Sequence, residues 1–304
     1  MKNVLVLGIF VADISFSGDK IPSVGETIIG NEYNIGPGGK GSNQAIAIAK
    51  LGGSVKFISK IGNDNYGNLA LETLKKNNID TSNVIISKKE KTGVAGIMIE
   101  KKTGKNAINV ITGAPSSFEI NEIDFNLFKK CKIFLTQLEI PQRVTLECLR
   151  KAKEFGSITI LNPAPAHKLN EEFFKLIDYF TPNETEAEFY SGIKINNEKD
   201  AKESARRLHN LGLKKVVITL GEKGVFYSDS FKNIFIKALP LKDVVDTTGA
   251  GDAFNGGLAY ALLNNKSIEE ALNLANQVAG LSTLGFGAGG SMPSIKDVNS
   301  IKNI

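Results

Sequence analysis

Near the end of the chain, Asp246-Thr247-Thr248-Gly249-Ala250-Gly251-Asp252-Ala253-Phe254-Asn255-Gly256-Gly257 is a small-residue turn with a carboxylate placed where a helix should begin. The first turn of a helix has N–H groups without intrahelical acceptors, and its dipole favours negative charge. Gly249, Ala250 and Gly251 offer little side-chain bulk, so a phosphate or an alkoxide could come close to those donors. Asp252 could then take the proton of a hydroxyl held beside them. The bland alternative is an ordinary N-cap aspartate. The small neighbours and a second carboxylate six residues earlier, at Asp246, favour the chemical reading.

A second glycine cluster, Gly36-Pro37-Gly38-Gly39-Lys40-Gly41-Ser42-Asn43-Gln44-Ala45, leads into an amphipathic Ala45–Leu51 segment. It permits close ligand approach, with Lys40 and Asn43 as directional polar groups. It is not a Walker A loop, and neither it nor Gly8–Asp13 satisfies GxGxxG. Such a turn can also be purely structural.

These turns need a scaffold. Short apolar runs at Val4–Leu7, Val55–Ile61, Ile133–Gln137, Ile158–Leu161, Tyr179–Thr181 and Val216–Leu220 predict strands. Helix-forming segments at Asn43–Leu51, Gly67–Asn77, Val144–Phe155, Asn170–Leu176, Glu184–Ser191 and Glu198–Leu211 alternate with them. Lys242–Val245 predicts a strand end, and Ala253–Leu263 a helix. This alternation predicts an α/β fold with a mainly parallel sheet covered on both faces. Ligands in such folds bind beyond the carboxyl ends of the strands. Residues 14–36 and 92–112 break the rhythm and predict a small antiparallel sheet, either a lid over the site with an outer face suited to dimerisation or a set of ordinary edge strands.

With 304 residues, 42% hydrophobic and 23% charged, the chain can bury a large core. Its lysines are scattered despite a formal charge of +5, which argues against nucleic acid as the main partner. Cys131 and Cys148 suit a reducing compartment, and the isolated His167 and His209 argue against a histidine triad or a zinc site. The N-terminal apolar run is too short for a signal peptide, and no run is long enough to span a membrane, so a cytoplasmic protein is expected.

Five blocks in register carry a family resemblance: Gly38–Ala45, Asn162-Pro163-Ala164-Pro165-Ala166, Thr181–Glu188, Thr219-Leu220-Gly221-Glu222-Lys223-Gly224, and Asp246–Gly257. The chain resembles the ribokinase, or PfkB-type carbohydrate kinase, family almost end to end. The resemblance implies one ribokinase-like three-layer domain over 1–304, with a β-sheet lid drawn from about 14–36 and 92–112. It implies transfer of the γ-phosphate of ATP to a sugar's primary hydroxyl, for ribose the 5-hydroxyl, with Mg2+ and K+ and a homodimer formed through the lid. Asp252 would be the base and Gly249, Ala250 and Gly251 the anion hole.

By the same resemblance, Asp13, Gly39, Lys40, Gly41, Ser42, Asn43, Glu139 and Asp252 would meet the sugar. Asn183, Thr219 to Gly224, Gly251, Asp252 and Asn276 would meet the nucleotide. Glu184 and Glu188, four apart on one helix face, could hold the waters of a magnesium ion or simply be solvated. Potassium would take oxygens from Asp246, Thr248, Ser282, Gly285, Gly287 and Ser291, unless the glycines there serve flexibility alone. One position departs from the family pattern. Val11 stands where Asn usually precedes the first sugar-binding Asp, and valine cannot bond a hydroxyl. An unpaired buried polar group costs about 1–3 kcal/mol, so 2-deoxyribose or another sugar is the leading alternative substrate. A nucleoside kinase and a catalytically inactive sugar-binding regulator are the remaining alternatives.

Overall fold

A computed structural model describes residues 2–301. From the N-terminus, β1 (Asn3–Leu7) leads into β2 (Val11–Gly18), β3 (Glu32–Gly38), α1 (Lys40–Lys50), β4 (Val55–Gly62) and α2 (Asn65–Lys76). Next come β5 (Val84–Ser87), β6 (Thr92–Glu100), β7 (Asn106–Gly113), β8 (Cys131–Thr136), α3 (Gln142–Glu154), β9 (Ile158–Leu161) and α4 (Glu171–Leu176). The rest is β10 (Tyr179–Phe180), α5 (Glu184–Ser191), α6 (Glu198–Asn210), β11 (Val216–Thr219), β12 (Val225–Ser228), β13 (Asn233–Ile236), α7 (Ala250–Leu263), α8 (Ile268–Ser282) and α9 (Ile295–Ile301).

The large sheet runs β13-β12-β11-β10-β9-β8-β1-β4-β5. It is parallel from β11 to β5, with β12 and β13 added antiparallel at one edge. Its central strands read as unbroken apolar runs because both faces are covered. Val4 and Val6 of β1 enter a core shared with Ile46 of α1, Phe254 and Leu258 of α7, and Leu272 of α8. Leu5 and Leu7 point the other way, into a core with Val144 of α3, Phe173 of α4 and Leu208 of α6. Helices therefore cover both faces of the sheet, giving three layers.

The small sheet runs β3-β2-β6-β7, with β2 and β6 parallel and the other pairs antiparallel. Register sorts its residues onto two faces. Asp13, Ser15, Asn34 and Ile97 face a cleft whose far side is formed by Asp246, Thr248 and the loop at Phe286–Ala288. The opposite face carries Ile14, Phe16, Tyr33, Ile35, Met98 and Ile111, most of them well exposed. Edge strands of the main sheet would not produce this geometry; the segments form a separate sheet over the cleft.

Two local expectations need correction. Lys242–Val245 does not end a strand: Asp243 is left-handed at φ 65°, Val244 and Val245 are exposed, and the N–H groups of Val245 and Asp246 donate to Thr283 O. The segment is fastened to the end of α8 instead of to a neighbouring strand. Helix α1 also starts at Lys40, three residues before the expected Asn43, because the glycine turn itself winds into the first helical turn. β5, β12, β13, α8 and α9 fall outside the expected segments.

Candidate active site

Helices α2, α4, α5, α6 and α8 begin with side-chain caps from Asp64, Asn170, Asn183, Asn197 and Ser267. Helices α1 and α7 begin instead at Gly39 and Gly249, with no capping side chain. Both glycines have positive φ, +92° and +80°, which disfavours any other residue there. The two helices pack together with their N-termini at the carboxyl ends of the parallel strands.

Asp252 lies in the first turn of α7, and its side chain is buried. Its Oδ2 accepts from Asn43 Nδ2 at 3.0 Å and its Oδ1 from Gln44 Nε2 at 3.0 Å. Burial raises its pKa, against Lys40 and these two amides, which lower it. Around it stand three more carboxylates and one ammonium. Glu139 is pushed up to about 7 by burial, with Asp252 and Asp13 adding to the rise against Lys40 and its N–H. Asp13 is raised to about 6 by burial and by Asp252. Burial also raises Glu186, where Lys40 lowers it and Asp252 raises it. Burial alone would depress Lys40, but Asp252, Glu139 and Glu186 hold its ammonium above the usual lysine value.

The remaining expected sugar contacts divide. Lys40 N–H donates to Glu139 Oε2 at 3.1 Å, so this carboxylate meets the N-terminus of α1. Asn43 keeps a buried Oδ1 without a partner. Gly41 instead backs onto Gly8, where a β-carbon would lie 2.7 Å from Gly8 Cα. The Ser42 hydroxyl donates to the carbonyls of Gly38 and Gly39 at 2.5 and 2.9 Å. These two residues shape the turn more than they face a ligand. Val11 is buried in the apolar core against Gly93, two residues before Asp13 on the same face of β2.

The expected nucleotide segments also meet. Asn183 bridges to Thr219 across the ends of β10 and β11, and Thr219 N–H donates to Pro182 O at 3.0 Å. Leu220 is buried, and Gly221, Glu222 and Lys223 form a tight turn before Gly224 at φ +115°. Asn276, on α8, donates to Lys237 O at 2.7 Å. Within the turn before α7, Ala250 N–H donates to Thr247 O at 3.2 Å, and a β-carbon on Gly251 would meet no atom within 4 Å.

For the metals, Glu184 and Glu188 lie on the outward side of α5, with Glu184 3.7 Å from Lys223 Nζ. Glu186 is the buried carboxylate of that helix, two residues from each and on the other side. It completes a capping box with Asn183, and the Asn-x-x-Glu spacing was the sequence signal that could have found it. Asp246 accepts from Thr248 N–H at 2.9 Å and from Gly287 N–H at 3.0 Å, tying the α7 turn to the C-terminal loop. Ser282 is buried at the end of α8, and Gly285 packs against Ser291. Among the described residues no group of three or more His, Cys, Asp or Glu could hold a metal ion directly. Residues not singled out from sequence include Gln44, Gln137, Asn162, Glu186 and Asn255, all buried.

The model of the pfkB family of carbohydrate kinases matches residues 1–295. The chain belongs to the pfkB carbohydrate kinase family. Within that family, it is 39% identical over 296 residues to a ribokinase of Haemophilus influenzae, covering 96% of each chain. A ribokinase structure from Thermotoga maritima is 37% identical, with a TM-score of 0.90 and complete coverage of both chains. An Arabidopsis thaliana ribokinase complexed with ribose and ATP superimposes with a TM-score of 0.92 at 31% identity, over 100% of this chain and 99% of that one. The chain is a sugar kinase. Among its described residues no helix is long and apolar enough to cross a membrane.

Proposed function

We propose that this sugar kinase transfers the γ-phosphoryl group of ATP to the 5-hydroxyl of ribose, giving ribose 5-phosphate and ADP. The observation that carries this reading is Asp252: a buried carboxylate with both oxygens held, at a helix N-terminus, beside Lys40 and three other acids. Asp252 accepts the hydroxyl proton as that oxygen attacks phosphorus, and the N–H groups of the Gly249–Gly251 turn stabilise charge on the phosphoryl oxygens. Asp13, Glu139, the Gly39–Lys40 turn and Asn43 position the sugar. The orphan Asn43 Oδ1 needs a donor, which a hydroxyl supplies.

Asn183, Thr219–Gly224, Gly251 and Asn276 cradle ATP, with backbone donors at glycine turns suited to phosphates. For magnesium, the buried acidic character around Lys40 fits a cation held through water, and Glu186 is better placed for it than Glu184 or Glu188. Magnesium supplies charge neutralisation on the phosphates when bound. Potassium suits the oxygen donors at Asp246, Thr248, Ser282, Gly285, Gly287 and Ser291. It would keep the α7 turn and the C-terminal loop in register, and equal activity in sodium or tetramethylammonium would refute its role.

The whole chain acts as one kinase unit, in the cytoplasm, where its two buried free thiols stay reduced. The apolar outer face of the lid fits a homodimer. Coupled ADP detection with ribose, 2-deoxyribose and adenosine tests the substrate. A clear preference for ribose in kcat/KM supports the proposal; preference for 2-deoxyribose, favoured by the apolar Val11 beside Asp13, would replace the substrate but keep the chemistry. Release of ADP only with adenosine, or with no sugar, would refute it.

A further inference from the structure

Asp252 is anchored by a side-chain amide that is itself held from behind. Gln44 Oε1 accepts from Gln137 Nε2 at 2.6 Å. Its NH2 group is thereby turned the other way, donating to Asp252 Oδ1 at 3.0 Å and to Asn162 Oδ1 at 3.2 Å. Reversing the amide would set Gln44 Oε1 against the carboxylate, which is costly where water cannot help: Gln44 is 0% exposed, Gln137 1% and Asn162 7%. Gln137 Oε1 has no partner among the described residues, so the Gln137 amide supports the Gln44 oxygen while the carboxylate sets which way Gln44 faces. Room for Gln137 depends on Gly8, because a β-carbon there would lie 2.3 Å from Gln137 Oε1. Asn162 is fixed in turn by donating to Thr181 O at 3.1 Å.

We propose that Gln44 is a positioning residue for Asp252, with its amide oxygen held by Gln137 from the end of β8. This rests on the reading of Asp252 as the proton acceptor. Asn43 and Gln44 grip opposite oxygens of one carboxylate, which fixes the plane of the group and the direction of its remaining lone pairs. A base held in that plane meets the attacking hydroxyl in line with phosphorus; a base free to rotate does so only part of the time. Gln137 touches no reacting atom and acts through Gln44 alone. A polar cluster that only stabilises the core would couple these residues to folding and not to turnover.

The test is a set of double-mutant cycles read in steady-state kinetics, with thermal melts as the folding control. Gln44→Met keeps the side-chain length and should lower kcat about 10- to 100-fold, leaving KM for sugar and nucleotide within about twofold. Gln137→Met should lower kcat by about three- to tenfold, and the double variant should be no slower than Gln44→Met. Single variants with kcat within twofold of the parent, or costs that multiply in the double variant, would overturn the proposal. Should Gln44→Met fail to fold, Gln137→Met in an Asp252→Asn background reads the same coupling. No further loss there supports positioning through Asp252, and an undiminished loss refutes it. The reading of Asp252 as base fails separately, if Asp252→Asn alone retains its turnover.

Discussion

The glycine turns before α1 and before α7 have similar sequences, yet the structure uses their glycines for different purposes. Before α1, a β-carbon on Gly38 would strike the Asp13 carboxylate at 2.1 Å, one on Gly39 would lie 2.6 Å from Ile9 O, and one on Gly41 2.7 Å from Gly8 Cα. Here the missing side chains let the protein approach itself and leave room for Asp13. The N-terminus of α1 is met by an internal carboxyl group, Glu139. Before α7, Gly249 has a comparable internal reason, a β-carbon 2.7 Å from Ala288, but a β-carbon on Gly251 would meet nothing within 4 Å. Among the described residues no carboxylate from another element closes that helix end in the way Glu139 closes α1; the acid it carries is its own Asp252. One turn is packed against the protein itself, and the other leaves open space beside Gly251, as the proposed sugar wall and anion site require.

Three substitutions would break or sharpen this contrast. Asp252→Asn should lower kcat by about 10²- to 10⁴-fold, the range for loss of a general base, while calorimetric affinity for ADP stays near that of the parent. Retention of turnover would move the base elsewhere and remove the chemical half of the comparison. Next, alanine at Gly39 and at Gly251 should separate stability from activity. Gly39→Ala should lower Tm by roughly 3–8 °C, from left-handed strain and the clash with Ile9 O. Gly251→Ala should leave Tm within about 2 °C and cut kcat about tenfold, because its methyl intrudes only on a ligand. The reverse pattern would show that the two turns had been assigned the wrong way round.

The smallest effect concerns Glu139. Its folded pKa, about 7, lies above the ordinary 4.5, so between these values the folded protein holds a proton that the unfolded chain releases. Stability therefore falls as pH rises from 4.5 to 7. Asp13 adds a similar fall between 3.8 and about 6. Glu139→Gln should flatten the Tm–pH curve of the ligand-free protein over the upper part of that window. Parallel curves for parent and variant would mean that the carboxyl is not held protonated by its burial.

Much of this was legible in the residues because it depends on local pattern. Both-face burial makes parallel strands into continuous apolar runs, and the runs at Val4–Leu7, Ile133–Gln137 and Ile158–Leu161 fall on β1, β8 and β9. The β6–β7 hairpin of the small sheet was legible from its spacing, but the parallel pairing of β2 with β6 at its centre was not, because the two strands are far apart along the chain. What misled was local pattern outside its context: Val244 and Val245 suit a strand, but no neighbouring strand pairs with them. Likewise Glu184 and Glu188 share a helix face, but only packing could reveal that it is the outer one and that Glu186 turns inward.

By itself, the sequence determined the layered α/β scaffold, the two helix-initiating glycine turns and the acid at Asp252, since each follows from residue type, spacing and backbone preference. The tertiary structure decided which glycines are packed against the protein and which face open space. It also brought Gln44, Gln137 and Asn162 into one buried cluster beneath Asp252. Those amides come from a helix and two different strand ends, with Gln137 and Asn162 lying 93 and 118 residues from Gln44 along the chain. Their hydrogen bonds depend on side-chain direction across the fold, and no local spacing encodes that direction.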